Sequence, residues 1–237
     1  MRELTAQDVV TLWEQGRGRH AIDRALLLFA AACPELPPEH LADLPLGQRN
    51  EALFRLREWT FGPDIRTYAD CPACGGRNEA MLHTQPFLAA AAEHAHNEQF
   101  ETRGYRFRAP TSRDLSAVVS CNDATSATIR LLERCCVACP SGAAVDATAL
   151  LDDVEAGLGA LDPIADIELS LACEACGRPW TAPFDIAGVL WDELDAKARA
   201  LFGEVHVLAS AYGWREQDIL ALGEARRAAY LAMVGGP

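Results

Sequence analysis

The sequence predicts a mainly helical α+β protein with a small split β unit, and three observations carry that prediction. Apolar residues recur at helical spacing towards both ends of the 237-residue chain. Short alternating stretches interrupt them at Ile65 to Ala69, Glu79 to His83, Tyr105 to Arg108, Ile167 to Leu171 and Trp180 to Phe184. Two of these stretches run directly into Cys-x-x-Cys-Gly, at Cys71-Pro-Ala-Cys74-Gly75 and at Cys173-Glu-Ala-Cys176-Gly177.

The N-terminal part reads as three helices. Thr5 can cap the first, over Ala6 to Gln15, which places Val9, Val10 and Trp13 on one side; Gly16 to Arg19 breaks it. The second covers His20 to Ala32, and Pro34, Pro37 and Pro38 then mark a loop. The third covers Leu46 to Trp59 with Leu53, Phe54 and Leu56 inward, and Phe61-Gly62-Pro63 stops it. Thr111 to Asp114 starts a further helix. The middle, Leu115 to Leu161, reads as mostly helical, with interruptions at Gly142 and from Gly157 to Gly159. Asp185 caps a long C-terminal helix carrying Val189, Leu190, Leu194, Leu201, Val205 and Leu208. Gly213 ends it, and Glu216 to Leu220 and Glu224 to Val234 form two shorter ones.

A weak internal repeat supports the layout. Each knuckle is followed by a second strand, a Pro-Phe pair (Pro86-Phe87 and Pro183-Phe184) and a helix. This divides the chain into an N-terminal helical region (1–62), a first knuckle with its strands (63–110), a helical insertion (111–162), a second knuckle hairpin (163–185) and a C-terminal helical region (186–237).

Half the residues are hydrophobic and the formal net charge is -13. The composition is globular, with length for one large domain or two small ones. An acidic surface repels phosphate backbones and anionic membranes. The N-terminus lacks a signal-peptide pattern, and the longest apolar run, Ala25 to Cys33, is too short to span a bilayer. A soluble cytoplasmic protein is expected. Nine cysteines in such a compartment point to metal or redox chemistry more than to structural disulfides.

The two matched knuckles predict a structural zinc ion held by Cys71, Cys74, Cys173 and Cys176. Two residues between the cysteines let both thiolates reach one ion, and Gly75 and Gly177 permit the positive φ of the turn. Two knuckles supply the four ligands of a closed tetrahedron, with no open catalytic position. Closing a loop of about a hundred residues costs about 4 kcal/mol, and zinc contributes roughly 10–16 kcal/mol in peptide systems. The β unit is therefore expected to be zinc-ribbon-like.

The remaining candidates read as structural. Cys136-Val-Ala-Cys139 lacks the glycine and follows a helical stretch, so it is expected as a pair of small buried core residues one turn apart; the sharper alternative is a pair competing for metal with one knuckle. Cys33, Cys121 and Cys135 stand in no motif. His83, His94 and His96 are expected to be solvated. Asp152-Asp153 and Asp192-Glu193 read as solvated acidic faces. Gly16-x-Gly18 is too short for a phosphate loop, and Ser112 and Ser116 lack a nucleophile-elbow context. No catalytic or organic-cofactor site is expected, and hence no enzyme. Trp191, Phe202, Tyr212, Trp214 and Tyr230 should be mostly core, with some available to partner subunits.

Four blocks carry a resemblance to a known family. They are Leu46-Gly-Gln-Arg-Asn-Glu-Ala-Leu-Phe-Arg-Leu-Arg-Glu with Phe61-Gly-Pro and Cys71-Pro-Ala-Cys-Gly; Tyr105-Arg-Phe-Arg-Ala-Pro-Thr-Ser-Arg-Asp-Leu with Leu131-Leu-Glu-Arg-Cys; Asp162-Pro-Ile-Ala-Asp-Ile-Glu-Leu with Cys173-Glu-Ala-Cys-Gly; and Phe184-Asp-Ile with Leu190-Trp191, Glu204-Val-His206, Ala211-Tyr-Gly-Trp and Arg227 to Tyr230. In this order they resemble a phage baseplate protein family similar to the baseplate hub assembly proteins of T4-type phages. The resemblance covers about Leu41 to the C-terminus. It implies a baseplate component or hub assembly chaperone of a contractile injection system, with hub, spike or wedge proteins as partners and possible incorporation in a phage tail-like particle. Two other readings compete with it. A zinc-ribbon regulator of nucleic acid would need a basic face, and the knuckle flanks offer only Arg66, Arg77 and Arg178. A redox-sensing zinc switch would join Cys71 to Cys74 and release zinc under mild oxidant.

Overall fold

The computed structural model describes residues 2–93, 99–140 and 147–235. Their elements run α1 (Ala6–Gly16), α2 (Ala21–Ala32), α3 (Pro38–Leu41), α4 (Leu46–Phe61), β1 (Asp64–Asp70), β2 (Arg77–His83), α5 (Thr84–Glu93), β3 (Gln99–Thr102), β4 (Tyr105–Arg108), α6 (Ser112–Val118), α7 (Ala124–Cys135), β5 (Cys136–Ala138), α8 (Ala147–Leu161), β6 (Ile167–Ala172), β7 (Pro179–Phe184), α9 (Ile186–Tyr212), α10 (Glu216–Leu220) and α11 (Glu224–Gly235). The protein is thus a mixture of helix with small antiparallel sheets: β1–β2, β3–β4–β5 and β6–β7. Among the described residues no helix is long and apolar enough to cross a membrane.

Local chemistry accounts for most boundaries. The Thr5 hydroxyl accepts the Asp8 N–H, and the Asp8 carboxylate accepts the Thr5 N–H, closing a capping box on α1. Thr111 and Asp114 repeat the device on α6. His20 caps α2, its Nδ1 accepting the Ile22 N–H. The proline-rich segment read as a loop contains the short helix α3, because Pro38 suits a first turn whose N–H groups need no partner. Gly62 and Gly213 end α4 and α9 as expected.

Both ends of the chain build one core. Val9 and Val10 of α1, Leu28 and Phe29 of α2, Leu53, Phe54 and Leu56 of α4, and Leu190, Leu194 and Leu201 of α9 share a single buried cluster. Each such side chain contributes about 1.5–3 kcal/mol of burial. Arg57, itself buried, forks onto Glu193 at 3.0 and 2.6 Å and donates to the Gly62 carbonyl, tying α4 to α9. The bases of both knuckle hairpins enter the same core through Ile65, Ile167 and Phe184. Phe87 lies in α5 while Phe184 ends β7, so the two Pro-Phe pairs are not equivalent; instead their rings stack, 5.8 Å apart, and Phe54 packs against both, 4.7 Å from Phe87 and 6.2 Å from Phe184.

The middle of the chain, expected as a mostly helical insertion, carries α6, α7 and α8 and in addition the short strand β5. Phe107, Leu132, Cys135, Leu150 and Val154 form a second, smaller core, joined by Phe100. Strands β3 and β4, grouped in the sequence reading with the first knuckle, belong to this module. So does β5, where the Cys136 to Ala138 segment leaves the helix and pairs with β4 through Phe107↔Cys136 and Arg106↔Ala138. The β-branched Val137 and the paired Phe107 favour the pleated surface over another helical turn.

A polar seam fastens this module to the body. Gly47 donates its N–H to Asp162 at 2.8 Å, and a Cβ at Gly47 would collide with that carboxylate and have to displace it. Buried Asn50 donates to the Ile164 carbonyl, and buried Arg49 donates to Asn50 and to Ser112. Asp114, with no exposed surface, accepts from Arg108 at 2.6 and 3.1 Å, from Arg134 at 2.9 Å and from Thr111. The first, second and third sequence blocks quoted above therefore meet in space, and packing is the physical reason for their spacing.

Candidate metal centre

The site is built at the tips of two matching hairpins. They run in step: Ile65 stands where Ile167 does, Cys71 where Cys173 does and Leu82 where Phe184 does. In each, the first cysteine N–H bonds the carbonyl five residues on (Cys71 to Gly76, Cys173 to Arg178), and its own carbonyl accepts the glycine N–H, from Gly75 at 2.8 Å and Gly177 at 2.8 Å. Both glycines adopt φ +71, the left-handed conformation the turn needs and that side chains resist. The strands beneath are fully paired, from Asp64↔His83 to Asp70↔Arg77 and from Ile167↔Phe184 to Ala172↔Pro179. Hydrogen bonding along these ladders holds each thiol pair at a fixed height above the core.

The four expected ligands come together. The sulfur atoms of Cys71, Cys74, Cys173 and Cys176 lie within 4.8 Å of one another and could hold a metal ion. Across the two hairpins, Cys71 Sγ is 3.9 Å from Cys176 Sγ, and Cys74 Sγ is 3.6 Å from Cys173 Sγ. Cys71 and Cys173 are buried, and Cys74 and Cys176 are exposed. An ion here would therefore sit half-covered, between the hairpins and the solvent.

The electrostatics suit a cation. The backbone N–H of Cys176 donates to the Cys173 sulfur and, against the effect of burial and with help from the Ala175 N–H, holds that thiol down at about 6. The Gly76 N–H also favours a thiolate at Cys74, but the neighbouring thiols of Cys173, Cys176 and Cys71 outweigh it and push Cys74 up to about 12. The cluster thus accepts a first negative charge readily and resists the next. A soft divalent cation removes that resistance by pairing with every thiolate.

Sequence reasoning missed Asn78. It is buried, and its side chain spans the two knuckles: Oδ1 accepts the Glu174 N–H at 2.9 Å, while Nδ2 donates to the Gly76 carbonyl at 2.8 Å and lies 3.7 Å from Cys173 Sγ. The matching position of the second hairpin is Trp180, so the pseudo-symmetry breaks at the residue that joins the halves. The only hint in the sequence is a polar residue at an inward position of β2, where alternation calls for an apolar one.

The other candidates fall elsewhere. Cys136 is partly covered at the start of β5 and Cys139 is exposed just beyond it; neither is on a helix or fully buried, which corrects the expectation for this pair, and their sulfurs are 3.3 Å apart. His83 is exposed, whereas His94 and His96 lie outside the described residues. Glu193 pairs with Arg57 and Asp153 with Arg103. Arg77 is tied to Asp70 at 3.0 Å and stacks on Tyr68. Of the C-terminal aromatics, Trp191 is buried in the main core and Phe202 packs against it. Tyr212, Trp214 and Tyr230 form a separate cluster with ring centroids 4.7 to 5.8 Å apart.

Comparison with protein-family models, with curated proteins and with solved structures found no match to this chain.

Proposed function

We propose that the chain is a non-enzymatic assembly protein, a baseplate component or hub assembly chaperone of a phage-like contractile injection system, pinned by one structural zinc ion in a split zinc-ribbon-like unit. The observation that carries the zinc reading is the closed four-thiol set. With Zn–S near 2.3 Å, a tetrahedron has edges of about 3.8 Å. The two cross-hairpin separations, 3.6 and 3.9 Å, bracket that value. All-thiolate ligation by Cys71, Cys74, Cys173 and Cys176 favours zinc over harder cations and leaves no position for a substrate. When bound, the ion would supply a fold constraint: it would join strands separated by the whole small module and so fix where that module leaves and re-enters the body.

The assembly reading rests on the order of the sequence blocks. Three of those blocks form the seam around Arg49, Asp114 and Asp162, so their resemblance to the baseplate family is a resemblance in a packed framework rather than in scattered surface residues. A strongly acidic surface, a metal clamp and a surface aromatic cluster at Tyr212, Trp214 and Tyr230 suit a protein that holds other proteins. A tagged chain expressed with its native neighbours should retain hub, spike or wedge subunits through purification, and should carry close to one zinc per chain. Recovery of no tube, spike or baseplate subunit would sink the assembly reading; absence of stoichiometric zinc would sink the metal reading separately.

A further inference from the structure

We infer that Cys136 and Cys139 form a reversible thiol–disulfide site, distinct from the four-cysteine cluster. Their sulfurs lie 3.3 Å apart, closer than either cross-hairpin pair in the cluster at 3.6 and 3.9 Å. That separation is short for the edge of a zinc tetrahedron, and a modest side-chain rotation brings it towards the ~2.05 Å of a disulfide. Among the described residues no third His, Cys, Asp or Glu joins the pair in a metal-binding group. Among the described residues a metal there would have two protein ligands, whereas a disulfide needs only the two sulfurs present.

The surroundings define the order of events. Cys139 is exposed and follows the last residue of β5, and the pairing of β5 with β4 is irregular between Cys136 and Ala138. Cys136 is partly covered, its S–H directed to the Ala138 carbonyl at 3.4 Å. Burial, reinforced by Cys139, pushes the Cys136 thiol up to about 11, so the exposed partner is the one that meets an oxidant first. The neighbouring Cys135 is fully buried, its thiol also raised to about 11 by burial, and takes no part.

A small-molecule disulfide such as oxidised glutathione is the oxidant. The Cys139 thiol gives up its proton, and its thiolate attacks one glutathione sulfur, forming a mixed disulfide and releasing one glutathione thiolate. Cys136 then loses its proton and attacks Cys139 Sγ, closing the Cys136–Cys139 bond and releasing the second glutathione. The protein loses two protons and two electrons, and the oxidant becomes two thiols. The product bridges the start of β5 to the residue just beyond its end.

The test uses the full chain as purified, equilibrated in glutathione buffers from reducing to oxidising, then acid-quenched and alkylated. Mass spectrometry of the alkylated wild type should show two fewer alkyl groups after oxidising than after reducing buffer, with peptide mapping placing the link between Cys136 and Cys139, and dithiothreitol before the quench should restore the fully alkylated mass. Cys139→Ser and Cys136→Ala should each abolish that loss. A first link between knuckle cysteines, a glutathione adduct that persists on Cys139 without closure, or an unchanged wild-type mass at the most oxidising poise would each overturn the assignment. Zinc measured in the same samples is a separate readout: the assignment does not depend on the metal reading.

Discussion

The chain carries Cys-x-x-Cys three times, and tertiary context gives the copies different chemistry. In the two knuckles a glycine at φ +71 follows the second cysteine, and a paired hairpin aims both thiols at the opposite pair. At Cys136 and Cys139 no glycine follows and no opposite pair is met among the described residues; the thiols face each other at 3.3 Å. The spacing x-x therefore fixes only that two sulfurs are near. What the backbone does after the second cysteine, and what stands across from it, decides between a four-ligand cluster and a dithiol.

The largest expected effect breaks the first half of this comparison. Cys173→Ser should lose the metal and destabilise the fold by more than about 4 kcal/mol, because one knuckle and a half cannot close the ligand set that holds a loop of about a hundred residues. Zinc content and thermal unfolding check it together, and retention of both would remove the cluster from the structural account.

Next comes the anchor of the small module. Asp114→Asn should cost about 3 kcal/mol, the low end for breaking a buried pair, since Arg108 and Arg134 keep 32 and 35% of their side-chain surface exposed. Burial by itself would raise the Asp114 pKa, but hydrogen bonds from Arg108 and Thr111 outweigh it and hold the carboxyl below its ordinary value. A carboxylate lowered in the folded state stabilises fully above its unfolded pKa of ~3.9 and loses that contribution as pH falls through the folded value. The wild type should therefore lose stability on acidification below about pH 4 more steeply than Asp114→Asn, as chemical denaturation across pH would record.

Two smaller changes sharpen the description of the knuckles. Gly177→Ala forces a side chain into the left-handed region and should cost about 1–2 kcal/mol, with metal still bound. Asn78→Ala leaves the Glu174 N–H without its side-chain acceptor and removes one of the two donors to the Gly76 carbonyl, and should cost about 1–2 kcal/mol. The Asn78 variant should also release metal to a chelator faster than wild type, which Gly177→Ala should do less. Equal release rates would show that Asn78 has no special part in joining the hairpins.

The smallest effect belongs to the third pair. Cys139→Ser, on the surface, should change stability by less than about 0.5 kcal/mol and leave zinc content unchanged. A loss of metal in this variant would mean that the pair and the cluster share the ion, and the contrast drawn here would collapse.

Much of this was legible in the chain. Thr5, Thr111 and Asp185 announce helix starts because a cap needs only the next three residues. The Cys-x-x-Cys-Gly turns announce themselves because their hydrogen bonds close within six residues. Strand β5 was not legible: its sequence continues a helical stretch, and its partner Phe107 lies far upstream. The links of Asn78 to Glu174, of Arg49 to Ser112 and of Gly47 to Asp162 were hidden for the same reason, since each joins residues distant in the chain.

Short-range chemistry set the four thiols, the glycines that turn the knuckles, the helix caps and the apolar stripes that bury α4 and α9. All of these depend on contacts within a few residues. Long-range packing set the rest: both chain ends share one core, β3 to α8 form a module with a core of their own, Asn78 rather than its counterpart Trp180 joins the hairpins, and the third cysteine pair stands apart. Those outcomes depend on closing long loops, where the entropy cost grows slowly with length and many pairings compete, so packing selects the one that leaves no buried side-chain polar atom without a partner among the described residues.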